Sequence, residues 1–204
     1  MKILRYSVGQ LQANCYFLIE GNNCIIIDAG ESADFLLEQI QIKKLKPLAI
    51  FASHGHFDHI MAVGEIQLSF DIPFYIAKED LFLVKRVSET ARYFLKQKIA
   101  IIDPKNIHDI KAGELKIENF KLKILKTPGH TPGASCFYLK DQGWLFTGDT
   151  LFKDAIGRYD FSYSDKQKLK LSLERLFKLP DETIIYPGHG EETIIDEERK
   201  NRLI

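Results

Sequence analysis

Cysteine, methionine and tryptophan are scarce in this chain, at three, two and one of 204 residues. The cysteines, Cys15, Cys24 and Cys136, sit in strand-like apolar runs (NCYFLI, NCIIID, ASCFYL). An odd count with no C-x-x-C spacing excludes a disulfide framework and a zinc knuckle, and predicts buried, reduced thiols. Neither sign of charge is in excess: 28 basic residues face 28 acidic ones. The basic surplus of a nucleic-acid binder is therefore missing. No apolar run approaches the length needed to cross a bilayer. The opening MKILRYSVGQLQANCYFLIE lacks the apolar core of a signal peptide. These absences predict a cytoplasmic protein that acts on a small molecule, with no nucleic-acid or membrane partner. They leave the oligomeric state open. With no linker, repeat or low-complexity stretch, residues 1–204 read as a single domain of ordinary globular composition.

What is present alternates between two periods. NCYFLIE and NCIIIDAG read as strands joined by a turn at Gly21-Asn22. Residues 32–45 carry apolar residues at helical spacing behind Ser32, a candidate N-cap, with Pro47 as the stop. PLAIFAS reads as a buried strand, IMAVGEIQLSF as a helix and PFYIA as a short strand. Residues 78–100 read as two helical pieces, outer helices or a cover over a site. ELKIENF, KLKILKT, ASCFYLK and GWLFTGD then give four strands in succession. KQKLKLSLERLFKL is an amphipathic helix, and TIIYPGHG a last buried strand. The order points to an α/β protein with two β-rich halves, each followed by helices.

The strands end in unusual company. PLAIFAS runs into His54, His56, Asp58 and His59; KLKILKTPG ends in His130; GWLFTG ends in Asp149; TIIYPG ends in His189. Five of six histidines thus lie just beyond an apolar strand, and only His108 reads as surface loop. A lone histidine is ordinarily a satisfied polar group. Five imidazoles and two carboxylates at strand ends, where α/β folds gather their sites, call for a shared partner. A divalent metal suits them, since neutral imidazole and carboxylate are good ligands. One zinc takes about four ligands, so seven candidates suit two ions. His54 and His56, two apart, point to one side of an extended segment, and Asp58 and His59 follow after a turn. Gly55, Gly129, Gly188 and Gly190 flank these residues and allow tight backbone bends.

H-x-H-x-D-H at 54–59, T-P-G-H-T-P-G at 127–133, G-D-T-L-F at 148–152 and P-G-H-G at 187–190 occur in that order over nearly the whole chain. Together they resemble the metallo-β-lactamase-fold hydrolases, and within them the glyoxalase II-like (hydroxyacylglutathione hydrolase-like) branch. The resemblance implies a four-layer αβ/βα sandwich of two mixed β-sheets with helices on the outer faces. It implies that His54, His56 and His130 hold one metal, that Asp58, His59 and His189 hold a second, and that Asp149 bridges them. Asp28 matches a buried aspartate that braces the histidine loop. Oxygen-reducing di-iron members carry an acidic residue where this chain has His56. Two features depart from glyoxalase II. Only GEETIIDEERKNRLI follows His189, so a compact form without the C-terminal helical domain is expected. In LFKDAIGRYD, Arg158 matches a basic substrate contact, but Asp160 stands at the tyrosine position, with Tyr159 one place early.

The resemblance implies a hydroxide bridging two divalent ions, zinc first, with iron or manganese as alternatives. Asp58 would orient it or take its proton. A thioester fits best, because a thiol of pKa about 8.5 leaves as thiolate without a strong general acid. Arg158 and Tyr159 are the candidate substrate contacts. The alternatives within the fold are a mononuclear iron enzyme that oxidises a persulfide, and a lactonase.

Overall fold

A computed structural model describes residues 1–97 and 99–201. The chain packs as two compact units, the first spanning Met1–Asp109 and the second beginning at Ile110.

The first unit holds β1 (Lys2–Val8), β2 (Ala13–Glu20), β3 (Asn23–Ile27), α1 (Ala33–Ile42), β4 (Lys46–Phe51), α2 (Phe57–Ile60), α3 (Val63–Ser69), β5 (Phe74–Ile76), α4 (Leu81–Val84), α5 (Val87–Leu95) and β6 (Ile107–Asp109). Its six strands form one mixed sheet in sequence order. β1, β2 and β3 pair antiparallel, and β3 through β6 pair parallel. Parallel central strands are buried on both faces, which is why NCIII and LAIF are continuous apolar runs rather than alternating ones. One face packs Phe17, Ile26, Ile50 and Phe74 against Leu36 and Ile40 of α1, Val63 and Ile66 of α3, and Val87 and Ala91 of α5. Fully burying side chains of this kind contributes about 1.5–3 kcal/mol each.

The second unit holds β7 (Gly113–Ile117), β8 (Phe120–Lys126), β9 (Ser135–Leu139), β10 (Trp144–Gly148), a small hairpin of β11 (Leu151–Phe152) and β12 (Ala155–Ile156), α6 (Lys166–Leu176), β13 (Ile184–Pro187), β14 (Thr193–Ile194) and α7 (Ile195–Lys200). Its main sheet is also mixed and six-stranded, in the order β14-β13-β10-β9-β8-β7. The one parallel pair is β10 with β13. Leu169, Leu173 and Leu176 of α6 and Ile195 of α7 pack on Cys136, Tyr138, Leu145 and Ile185. Asp165 caps α6, its carboxylate accepting from the Lys168 N–H at 3.0 Å.

The expected α/β class with two mixed sheets is what the structure has. Local details differ. Ser32 stands at the N-cap of α1 but makes no side-chain cap bond, because its backbone is left-handed. α1 ends before Pro47 is reached: Lys44 turns left-handed, and the Leu45 N–H returns to the Ile40 carbonyl at 2.9 Å. IMAVGEIQLSF does not form one helix. α2 stops at Ile60 and α3 restarts at Val63, the Ala62 N–H turning aside to the Gly30 carbonyl at 2.5 Å and the Ala29 carbonyl at 3.1 Å. His108 lies on the exposed strand β6 rather than in a loop. The tail after His189 supplies β14 and α7. No helix among the described residues is long and apolar enough to cross a membrane.

All three cysteines are free and buried, as the sequence predicts. Burial pushes the Cys24 thiol from an ordinary 9.0 up to about 12. Burial, with the charge of Asp28 and the neighbouring Cys24, raises Cys15 as well. The folded state holds these protons more tightly than the unfolded chain. The Cys24 contribution is therefore intact below the unfolded pKa and is lost as pH rises from 9.0 towards about 12, and that of Cys15 is lost in the same direction. Native protein is expected to leave an aromatic disulfide reagent unreacted at neutral pH, with three thiols per chain appearing only on denaturation; rapid native labelling of Cys15 or Cys24 would contradict this packing.

Candidate metal centre

In the first unit the candidate donors come from one segment, the crossover after β4. Parallel strands β3 and β4 end side by side, so Asp28 after β3 faces Ser53 and His54 after β4. Asp28 is almost fully buried and accepts three hydrogen bonds: from the Ser53 N–H at 2.7 Å, from the Ser53 hydroxyl at 2.8 Å and from His59 Nδ1 at 3.0 Å. The Ser53 hydroxyl donates its one hydrogen bond to Asp28, so it accepts from His54 Nδ1 at 2.9 Å. Both imidazoles are thus held with Nδ1 protonated and the Nε2 lone pair directed away. His54 Nε2 lies 3.0 Å from His56 Nδ1, and His59 Nε2 lies 3.6 Å from Asp58 Oδ2. The segment therefore presents two donor pairs, His54 with His56 and Asp58 with His59. His54 and His59 are buried to about 1% exposure or less, with ring centroids 4.3 Å apart. Gly30 makes this geometry possible, since a Cβ there would lie 2.0 Å from the Asp58 carbonyl oxygen.

In the second unit three loops supply the donors. β10 and β13 are parallel, so Asp149 and His189 leave the sheet at the same end. The Gly188 N–H ties those loops by donating to the Gly148 carbonyl at 2.9 Å. His130 precedes β9 in a loop whose Thr127 hydroxyl meets that of Thr150 at 3.1 Å. His130 Nδ1 donates to the Arg158 carbonyl at 2.8 Å, which again leaves Nε2 as the lone-pair nitrogen. The Ser164 hydroxyl donates to the His130 carbonyl at 2.7 Å. At Gly129, with φ of +147°, a Cβ would lie 2.4 Å from the Leu169 backbone, so α6 closes on this loop only because the residue is glycine. Asp149 Oδ2 stands 3.6 Å from His130 Nε2 and 3.7 Å from His189 Nε2, midway between two imidazoles.

The donor chemistry fits divalent metal ions. The ligand atoms within each pair lie within 4.8 Å of one another, and three histidines have the other ring nitrogen engaged by a hydroxyl, a carboxylate or a carbonyl. All seven residues singled out in the sequence as ligands thus belong to the two candidate groups, His54, His56, His130 and Asp149 in one and Asp58, His59 and His189 in the other. Arg158 and Tyr159 stand on the loop that supports His130. The Arg158 guanidinium makes a bidentate pair with Asp160 at 2.9 Å and lies 4.6 Å over the Phe161 ring. That pair raises the Arg158 pKa and lowers that of Asp160. Both groups are well exposed, so the pair contributes little to stability. Tyr159 has Lys166 Nζ 5.1 Å over its ring. Sequence reasoning assigned no role to the Ser53 hydroxyl, the Arg158 carbonyl or Asp80, which the structure adds around the donors. A serine before H-x-H was legible as a neighbour; the other two had no sequence signal.

Against known proteins, residues 8–189 match the model of the metallo-β-lactamase superfamily. The chain belongs to that superfamily. It is 38% identical over 207 residues to the probable metallo-hydrolase YqgX of Bacillus subtilis, covering 100% of this chain and 98% of that one. It is 33% identical over 204 residues to the hydroxyacylglutathione hydrolase GloC of Haemophilus influenzae, covering 98% and 96%. Among solved structures it is similar to the BLEG-1 B3 metallo-β-lactamase, at TM-score 0.91 and 31% identity over 98% of this chain and 97% of that one. It is also similar to TTHA1623 in a di-iron-bound form, at TM-score 0.89 and 35% identity over 97% and 98%. The two mixed sheets and their helices are the metallo-β-lactamase fold, and the two donor sets are this member's candidate dimetal ligands.

Asp28→Asn keeps one acceptor oxygen where three donors converge, so Ser53 or His59 loses its partner. Metal affinity is expected to fall about 10–100-fold, as for other carboxylates that orient metal-binding histidines; competition against a chromogenic chelator measures it, and an unchanged affinity would remove Asp28 from this role.

Proposed function

We propose that the chain is a dinuclear metal-dependent hydrolase that cleaves a thioester, S-lactoylglutathione or a related acyl thioester, or an activated ester. In this reading the two units work as one functional domain over residues 1–204. His54, His56, His130 and Asp149 hold one ion, and Asp58, His59 and His189 hold the other, with Asp149 shared. The observation that carries the reading is the pairing of donors: two pairs on the segment after β4, and one carboxylate oxygen midway between His130 and His189. Zinc is the first choice of ion, with iron and manganese chemically suited to the same ligands. The di-iron form of TTHA1623 keeps iron in the comparison.

When bound, the ions supply a water whose pKa is lowered towards neutrality and a Lewis acid for the carbonyl oxygen. The chain's own residues do the rest. Asp28, Ser53 and the Arg158 carbonyl hold three imidazoles in the tautomer that exposes Nε2. Asp58, whose Oδ2 lies 3.6 Å from His59 Nε2, would orient the attacking water and take its proton. Arg158 and Tyr159, on the loop that carries the carbonyl partner of His130, are the proposed substrate contacts. Asp160 already fills the Arg158 fork, so a substrate carboxylate would have to displace it. A thiolate leaves without a strong proton donor, which favours thioesters over the amide of a β-lactam. Support for the thioester class also comes from likeness to GloC along nearly the whole of both chains.

The test is metal content per chain, read beside thiol release from S-lactoylglutathione and other thioesters. Two equivalents of metal, chelator-sensitive turnover, and loss of metal and turnover together in His54→Ala are expected. Asp58→Ala is expected to lower kcat/KM on the order of 100- to 10,000-fold. Full turnover and full metal occupancy in either variant would end the dinuclear reading. The same panel carries a chromogenic cephalosporin, a lactone and a persulfide with an oxygen electrode, and preference for one of these would reassign the substrate.

A further inference from the structure

Asp80 is a charged residue with no exposed surface and no part in the chemistry above. It ends the 3-10 turn Lys78–Asp80 and stands at the N-cap of α4, yet its carboxylate makes no cap bond to that helix. Instead Oδ2 reaches the ligand segment and accepts the Gly55 N–H at 2.9 Å. The approach is close by design. A Cβ at Gly55 would lie 2.8 Å from Leu83 Cβ, 3.0 Å from the Asp80 carbonyl oxygen and 3.1 Å from Asp80 Cβ. Gly55 is the single residue between His54 and His56. The amide two places earlier, Ser53, is held by Asp28 at 2.7 Å. His54 therefore lies between two amides, each fixed by a buried carboxylate from a different element. His56 follows directly on the second.

A buried carboxylate is costly unless paired or hydrogen-bonded, and a hydrogen bond to an ionised group is stronger than a neutral one. Asp28 already secures the His59 ring directly and the His54 ring through the Ser53 hydroxyl. The backbone on the His56 side is secured by Asp80. We infer that Asp80 is a positioning residue for the His54–His56 donor pair: it sets the convergence of His54 Nε2 on His56 Nδ1, seen at 3.0 Å, and so tunes the affinity of that pair for a divalent cation. This rests on the metal-centre reading above. It leaves the Asp58–His59 pair, which follows in α2, largely untouched. A second consequence concerns the segment 78–95. Through Asp80 and Leu83 it is a support of the ligand loop, neither a detached outer helix nor a free cover.

The experiment uses the full chain and cobalt(II) as the probe, with affinities from chelator competition and the d–d absorption of the bound ion as the record of ligand geometry. Asp80→Ala removes both acceptor and charge; Asp80→Asn keeps an acceptor of the same size and removes the charge. The expected order of affinity at the tighter site is wild type, then Asp80→Asn lower by about 3–10-fold, then Asp80→Ala lower by about 10–100-fold, with an altered d–d band. A role in stability alone would lower the melting temperature of the metal-free protein and leave affinity and spectrum in place. Unchanged affinity and spectrum in a folded Asp80→Ala overturns the inference. If that variant does not fold, Asp80→Asn decides, and wild-type affinity and spectrum in it overturn the inference equally. Metal-loaded wild type that leaves every thioester uncleaved sinks the hydrolase proposal and not the role of Asp80. Wild type that binds no cobalt sinks both.

Discussion

The carboxylate of Asp28 accepts three hydrogen bonds in a space closed to water, and the order of the histidine segment hangs on them. Two come from Ser53 and one from His59, so one group fixes the start of the segment and a ring six residues later. Its backbone sits at a φ of +57°, and the turn it makes brings Gly30 against the Asp58 carbonyl. Neither would be stable at a chain end. They are imposed by β3 and β4, whose parallel pairing leaves both strands ending at the same level. The sheet thus converts an apolar pattern, NCIII beside LAIF, into the placement of a carboxylate to within hydrogen-bonding distance.

The second unit reaches a similar result by other means. It has one parallel pair, β10 with β13, and this pair carries Asp149 and His189. His130 comes from an antiparallel region and needs more support: a carbonyl on its ring, a hydroxyl on its own carbonyl, and α6 pressed against Gly129. Where strand pairing does not aim a ligand, loops and a helix N-terminus do so.

Much of this was legible in the sequence because burial changes abruptly there. An apolar run such as PLAIFAS that stops at a histidine announces both a strand and its functional end, and the same signal marks His130, Asp149 and His189. Local propensity was less reliable where tertiary contacts overrode it. IMAVGEIQLSF reads as one helix, but Ala62 turns its N–H to Gly30 and Ala29 and the helix restarts. Lys44 ends α1 in a left-handed conformation that glycine or asparagine would have signalled and lysine does not. Asp80 was invisible for a related reason. Nothing in KEDLFLV marks its aspartate as a partner of the histidine segment. Only the packing of α4 on Gly55 shows that its carboxylate serves another segment.

Asp149 Oδ2 lies almost equally far from His130 and His189, at 3.6 and 3.7 Å. In the proposed arrangement one oxygen atom is then a ligand held in common, and the two occupancies become thermodynamically linked. A cation on one side would withdraw electron density from the shared oxygen and repel a cation on the other, while it would also hold the carboxylate for the second. By reciprocity, whatever the first ion does to the affinity for the second, the second does to the first. The centre would fill and empty as a coupled pair, with a loading curve that independent sites could not produce.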